Sequence, residues 1–131
     1  MIVDSSAIVA IVRREPERER FLEVLEKADI SRVSAASFFE AAIVTDGSRD
    51  PVLSRYLDQF LESAGITIEP VTEAQARIAR EAYRDYGKGS GHPAKLNFGD
   101  CFAYALARDF REPLLYKGTD FSHTDILSVL K

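Results

Sequence analysis

Short apolar stretches alternate with helix-patterned segments along this chain, and that alternation constrains its fold more than any other feature. Met1–Val3 is an apolar run ended by Asp4 and reads as a buried strand. Ala7–Val12 reads as a short helix that Ser5 or Ser6 can cap. Glu15–Ala28 tolerates Pro16 near its start and carries Phe21, Leu22, Leu25 and Ala28 at helical spacing. Ile30–Val33 is a second strand. Ser34 caps a helix over Ala35–Thr45, which Asp46-Gly47 is expected to end through a left-handed glycine. Pro51 opens a helix whose Val52, Leu53, Tyr56, Leu57, Phe60 and Leu61 form a broad apolar face, and Gly65 ends it.

Ile66–Ile68 is the third strand, and Thr72 caps a helix running to Tyr86. Gly87–Lys95 is a loop by composition. Asn97 caps a helix that reaches Phe110, Pro113–Tyr116 is the fourth strand, and Ile126–Val129 is a candidate fifth. The pattern predicts a single α/β domain over residues 1–131, with a mainly parallel central sheet of four to five strands flanked by helices. A chain of 131 residues is long enough to bury one core, and no repeat or long linker divides it.

The reactive side chains narrow the chemistry. The single cysteine, Cys101, excludes an internal disulfide and any zinc site built on paired cysteines. His92 and His123 lack a metal-site spacing. A bound metal must therefore have oxygen ligands, which favour hard cations such as Mg²⁺ or Mn²⁺. The net charge of −4 argues against a protein that grips nucleic acid by bulk positive charge. It leaves room for a nuclease, because clustered acids inflate the negative count and bound cations reverse the local field. No apolar run approaches the ~20 residues needed to span a bilayer. The opening Met-Ile-Val-Asp is not a basic segment followed by a long apolar one. The expectation is a soluble, cytoplasmic protein with no membrane association.

Open α/β sheets bind ligands beyond the carboxyl edge of their strands, where each strand ends and the next helix begins. Four acids map to that edge. Asp4 follows the first strand and could simply be a helix cap. Glu40 interrupts Phe38-Phe39-Glu40-Ala41-Ala42-Ile43-Val44; it either lines an exposed stripe or is a carboxylate needing a partner. Asp100 stands three residues after Asn97, the spacing of a capping box. Asp120 follows the fourth strand and could be a turn residue. Together on one edge, four carboxylates repel unless cations lie between them. Phosphodiester cleavage uses such a cluster, with two metals roughly 3.5–4 Å apart.

At Ile2-Val3-Asp4-Ser5-Ser6-Ala7, Ser34-Ala-Ala-Ser37-Phe-Phe-Glu40, Leu96-Asn97-Phe98-Gly99-Asp100-Cys101-Phe102-Ala103-Tyr104-Ala105-Leu106-Ala107 and Leu115-Tyr116-Lys117-Gly118-Thr119-Asp120-Phe121 the chain resembles a PIN-domain ribonuclease of the VapC toxin type. The third stretch is the most specific. The resemblance implies a PIN fold over nearly the whole chain. It also implies an Mg²⁺- or Mn²⁺-dependent endoribonuclease that cuts structured RNA such as tRNA or rRNA. Asp4, Glu40, Asp100 and Asp120 would be its catalytic, metal-binding acids, with Ser6 orienting a carboxylate or a metal-bound water. Asp120 is the member expected to act through water, and Thr119 brings a supporting hydroxyl to a position where relatives vary. The implied partner is a VapB-type antitoxin whose tail covers the site, in a homodimer or toxin–antitoxin hetero-oligomer.

Lys88 and Lys95 sit in the glycine-rich loop just before Asp100, and Lys117 precedes Asp120; all three are candidate RNA contacts. The loop lacks the Gly-Lys-Ser/Thr of a phosphate loop, and its plain reading is a flexible connector. Arg13, Arg14, Arg18 and Arg20 alternate with Glu15, Glu17 and Glu19, as on a solvated helix face. Tyr56 and Phe60 read first as core and second as a partner contact; Cys101 reads as core and Asp125 as a cap or turn. Two rival readings remain. One is a catalytically silent PIN-like binding module. The other is a receiver-type signalling domain, which should carry a phosphoacceptor Asp after its third strand. Glu69-Pro70-Val71-Thr72 supplies none.

Overall fold

The computed structural model describes residues 1–130; Lys131, the last residue of the expected domain, lies outside them. Four strands, β1 (Ile2–Val3), β2 (Ser31–Ser34), β3 (Ile66–Glu69) and β4 (Leu114–Leu115), form one parallel sheet in the order β3-β2-β1-β4. Six helices flank it: α1 (Ser5–Val12), α2 (Arg18–Lys27), α3 (Ala35–Gly47), α4 (Pro51–Ser63), α5 (Glu73–Tyr86) and α6 (Phe98–Phe110). The chain builds outward from β1 through β2 to β3, then returns to add β4 on the other side of β1. That reversal makes the carboxyl end of β1 and β4 the switch point where such sheets bind ligands.

Successive residues of a strand point to opposite faces, and β1 divides the core accordingly. Val3 packs with Ala7, Ile8, Ile11, Phe21, Val33, Ala41, Leu57 and Phe60 on one side. Ile2 packs with Ala82, Leu96, Leu106, Leu114 and Phe121 on the other. Each fully buried aliphatic side chain contributes roughly 1.5–3 kcal/mol, so even two-residue strands are held firmly when both faces are covered.

The predicted caps at Ser34, Thr72 and Asn97 are all formed. Four local expectations change. Helix α2 begins at Arg18, after the left-handed Arg14 (φ 56°) and a turn through Pro16 and Glu17. Gly47 stays inside α3, and the left-handed residue beyond it is Arg49 (φ 57°). The candidate fifth strand is a single bridge between Leu114 and Ser128. Its pairing consists of the Leu114 N–H donating to the Leu127 carbonyl at 2.9 Å and the Val129 N–H donating to the Leu114 carbonyl at 3.0 Å. The Gly87–Lys95 loop, a flexible connector by composition, is closed at its base by a Gly87–Leu96 bridge.

Candidate active site

Asp4 ends β1 and is tied to β4 by its N–H, which donates to the Leu115 carbonyl at 2.9 Å. Its side chain is almost completely buried. Oδ2 accepts from the Ser6 N–H at 3.0 Å, so Asp4 itself caps α1, and not Ser5 or Ser6. Oδ1 is buried with no hydrogen-bond partner. One carboxylate thus serves the fold with one oxygen and leaves the other unsatisfied. Burial pushes this carboxyl up to about 6; hydrogen bonds from Ser6 oppose the rise, and the charges of Asp100 and Glu40 add to it.

Glu40 is half-buried on α3. Its Oε1 accepts from Ser5 Oγ at 2.7 Å. Its Oε2 lies against Gly99 at the start of α6, only 2.3 Å from where a Cβ at that position would stand. Ser5 and Gly99 are site residues that the sequence reading missed. Ser5 looked like a cap, and Gly99 stands in a helix first turn where nothing local demands glycine.

Asp100 closes the expected capping box. Its Oδ2 accepts from the Asn97 N–H at 3.0 Å, and Asn97 Oδ1 accepts from the Asp100 N–H at 2.9 Å. Oδ1 takes no part in the box. Burial raises this carboxyl to about 6, against the pull of the Asn97 hydrogen bond. The negative charges of Asp120 and Glu40 raise it further, and Lys88 lowers it.

Asp120 opens a 3₁₀ turn over Asp120–His123; it is exposed, and its charge reaches Asp100. Ser6 Oγ accepts from the Lys117 N–H at 2.9 Å, fastening the loop after β4 to the start of α1. Thr119 is exposed and makes no side-chain cap bond. Lys117 pairs with Glu15 at 2.7 Å and Glu17 at 3.4 Å, acids outside the set of four. Lys88 and Lys95 are exposed on the glycine-rich loop, and Lys88 acts on Asp100. Asp125 is structural, accepting from Tyr104 Oη at 2.6 Å and pairing with Arg108.

The sheet edge therefore gathers Asp4, Glu40 and Asp100, with Asp120 beside Asp100. Among the described residues, no three His, Cys, Asp or Glu side chains form a closed metal cage as they stand. The donors nevertheless fit a hard cation. All are oxygens, Asp4 Oδ1 is an orphan acceptor, and both Asp4 and Asp100 are held in surroundings that penalise their charge. A cleft of about 240 Å³ beside them is lined by Ser5, Ser6, Val9, Glu15, Glu40, Val44 and Lys117. A cleft of about 820 Å³ between α5, α6 and the 125–127 segment contains none of the four acids. The four acids range from the buried Asp4 through the half-buried Glu40 and Asp100 to the exposed Asp120. No helix among the described residues is long and apolar enough to cross a membrane.

The PIN domain family matches residues 1–127. Ribonuclease VapC28 of Mycobacterium tuberculosis is 58% identical over 130 residues, covering 99% of this chain and 98% of that protein. Among solved structures, the Mycobacterium tuberculosis toxin VapC20, described as sarcin–ricin loop cleaving, superposes with a TM-score of 0.79 at 15% identity, covering 98% of this chain and 97% of that one. A toxin–antitoxin complex from Klebsiella pneumoniae gives 0.70 at 17% identity, covering 92% and 89%. At these identities the structures speak for the fold, and the sequence relatives speak for the family. An acid-lined switch point on a β3-β2-β1-β4 sheet and a near full-length match agree: the chain belongs to the PIN-domain family, among its VapC ribonucleases.

Proposed function

We propose that this protein is the toxin of a toxin–antitoxin pair, an endoribonuclease that hydrolyses phosphodiester bonds in structured RNA with Mg²⁺ or Mn²⁺. The observation that carries the reading is the buried, unpartnered Asp4 Oδ1 in the company of Glu40 and Asp100. An orphan carboxylate oxygen among other carboxylates is costly in a folded protein unless a cation completes it. Asp4 and Asp100 would hold the cation, Glu40 would join them from α3, and Asp120 would act through water from the exposed 3₁₀ turn. The bound cation supplies Lewis acidity toward the phosphate.

The chain's own groups do the positioning. Asp4 Oδ2 and Asp100 Oδ2 are fixed by helix-cap hydrogen bonds, so neither carboxylate swings freely. Ser5 holds Glu40, and Ser6 anchors the loop that carries Thr119 and Asp120. The reading treats residues 1–131 as one PIN domain acting in the cytoplasm. The sarcin–ricin loop cleavage ascribed to VapC20 and the ribonuclease name of VapC28 support structured RNA, such as tRNA or rRNA, as the substrate class. Phe39 and Ile43 on α3 and Phe98 on α6 are exposed, and such apolar surface supports a VapB-type antitoxin and a homodimer or hetero-oligomer as partners.

The test is cleavage of a broad RNA panel by purified, antitoxin-free protein with Mg²⁺ or Mn²⁺. Cleavage by the wild type and none by Asp100→Asn is expected. No cleavage by the wild type, or full activity in Asp100→Asn, refutes the reading. The open arrangement of the acids favours one rival, a silent binding module. Calorimetric Mg²⁺ titration with and without Glu40→Gln separates the two: the nuclease reading requires binding that the variant weakens.

A further inference from the structure

The Gly87–Leu96 loop is built as a fixed mount. Gly87 passes so close to α5 that a Cβ there would stand 2.3 Å from the Tyr83 carbonyl oxygen, a place only glycine can occupy. The Lys88 N–H donates to the Leu96 carbonyl and the Leu96 N–H to the Tyr86 carbonyl, each at 2.9 Å. Ala94 and Leu96 are buried. His92 Nδ1 accepts from the Ala94 N–H at 3.1 Å, and its ring meets Tyr86 edge-on with centroids 4.8 Å apart. Gly89 and Gly91 take the left-handed turns in between (φ 89° and 84°). The loop ends one residue before the Asn97 cap, so its base and the Asp100 capping box are one continuous piece of backbone.

Lys95 and Lys88 both stand on this mount, and the one bonded through its N–H across the closed base to Leu96 is Lys88. It is exposed and has no ion pair among the described residues. Lys117, after β4, is already held by Glu15 and Glu17. The Lys88 N–H is bonded to Leu96, the neighbour of the Asn97 cap on the turn that carries Asp100. A solvated ammonium carried on backbone held there offsets the repulsion that the acids exert on a polyanion.

We propose that Lys88, held by the closed Gly87–Leu96 loop, is the residue that receives an RNA backbone phosphate next to Asp100. The inference rests on the nuclease reading for its substrate but concerns binding, so it can be tested without cleavage. A labelled RNA hairpin is titrated with wild type, Lys88→Ala, Lys88→Arg and, as a distant control, Arg77→Ala in EDTA over a range of salt. Lys88→Ala should bind about two- to fivefold more weakly, as for loss of one exposed ionic contact. Its plot of log affinity against log salt should flatten by about 0.7–1. Lys88→Arg should restore both, and Arg77→Ala should match the wild type.

An unchanged salt slope in Lys88→Ala, or an equal loss in Lys88→Arg, overturns the proposal. Wild type that cleaves RNA while Lys88→Ala keeps its slope sinks the inference and leaves the nuclease reading standing. Wild type that never cleaves while Lys88 governs binding does the reverse.

Discussion

Glu40 Oε2 occupies the space that a side chain at Gly99 would need, 2.3 Å from where its Cβ would lie. The contact joins the second acid of the set to the helix that carries the third. It explains a glycine in the first turn of α6, where glycine is otherwise unfavourable by about 0.5–1 kcal/mol relative to alanine. The missing Cβ lets α3 and α6 bring Glu40 and Asp100 to the same edge.

Gly99→Ala should therefore divide stability from activity. The atom displaced is the end of a flexible glutamate, so the fold yields cheaply and helix propensity recovers part of the loss. Urea unfolding should change by less than about 1 kcal/mol. RNA cleavage should fall about tenfold or more, because a small misplacement of a catalytic group is severe. Activity equal to wild type would show that Glu40 needs no room at position 99.

Ser5 holds the other oxygen of Glu40 at 2.7 Å. Ser5→Ala removes that donor while leaving the Asp4 cap of α1 intact. The expected result is unfolding stability within about 1 kcal/mol of wild type. Weaker Mg²⁺ binding by calorimetry should accompany a several-fold loss of cleavage. Unaltered metal affinity would mean that Glu40 is oriented by its helix alone.

What could be read from the chain was whatever is decided locally. The strand–helix alternation foretold the parallel sheet, and Asn97-Phe-Gly-Asp100 foretold the capping box. Capping does not use up Asp4 or Asp100, because each carboxylate caps with one of its two oxygens. Contacts between distant segments were not legible. Nothing near Gly99 names Glu40, and nothing near Ser5 shows that its hydroxyl turns to α3. The glycine-rich loop read as flexible because composition cannot reveal that Leu96 pairs with both Tyr86 and Lys88. The last strand is one bridge to Leu114, shorter than the apolar pattern of Ile126–Val129 suggests.

Asp100 allows its two roles to be separated. Asp100→Asn keeps an oxygen able to accept from the Asn97 N–H, so the capping box survives in form; Asp100→Ala loses it. The alanine variant should be about 1 kcal/mol less stable than the asparagine variant by thermal or urea unfolding. Both should lose cleavage. Equal stability of the two variants would show that the Asp100 half of the box contributes nothing.

Asp4 makes the metal-free protein sensitive to pH. Its carboxyl rises from an ordinary 3.8 to about 6 in the folded state, chiefly through burial. A raised folded value means that the native state holds this proton more tightly than the unfolded chain does. Asp4 therefore leaves stability intact in acid, and stability falls as pH climbs from 3.8 through 6. Linkage puts the loss from this group at about 2 kcal/mol between pH 4 and pH 8. Asp100 acts in the same direction but more weakly, being more open to solvent. Urea unfolding in EDTA should show the wild type losing stability across that window and Asp4→Asn, which keeps a competent cap, losing less. Added Mg²⁺ should reverse the trend, stabilising the wild type more at pH 8 than at pH 5, since a cation binds the ionised carboxylates and must displace protons at the lower pH. A wild type and an Asp4→Asn variant with parallel pH profiles in EDTA would mean that the buried carboxyl of Asp4 is not the strained group at this site.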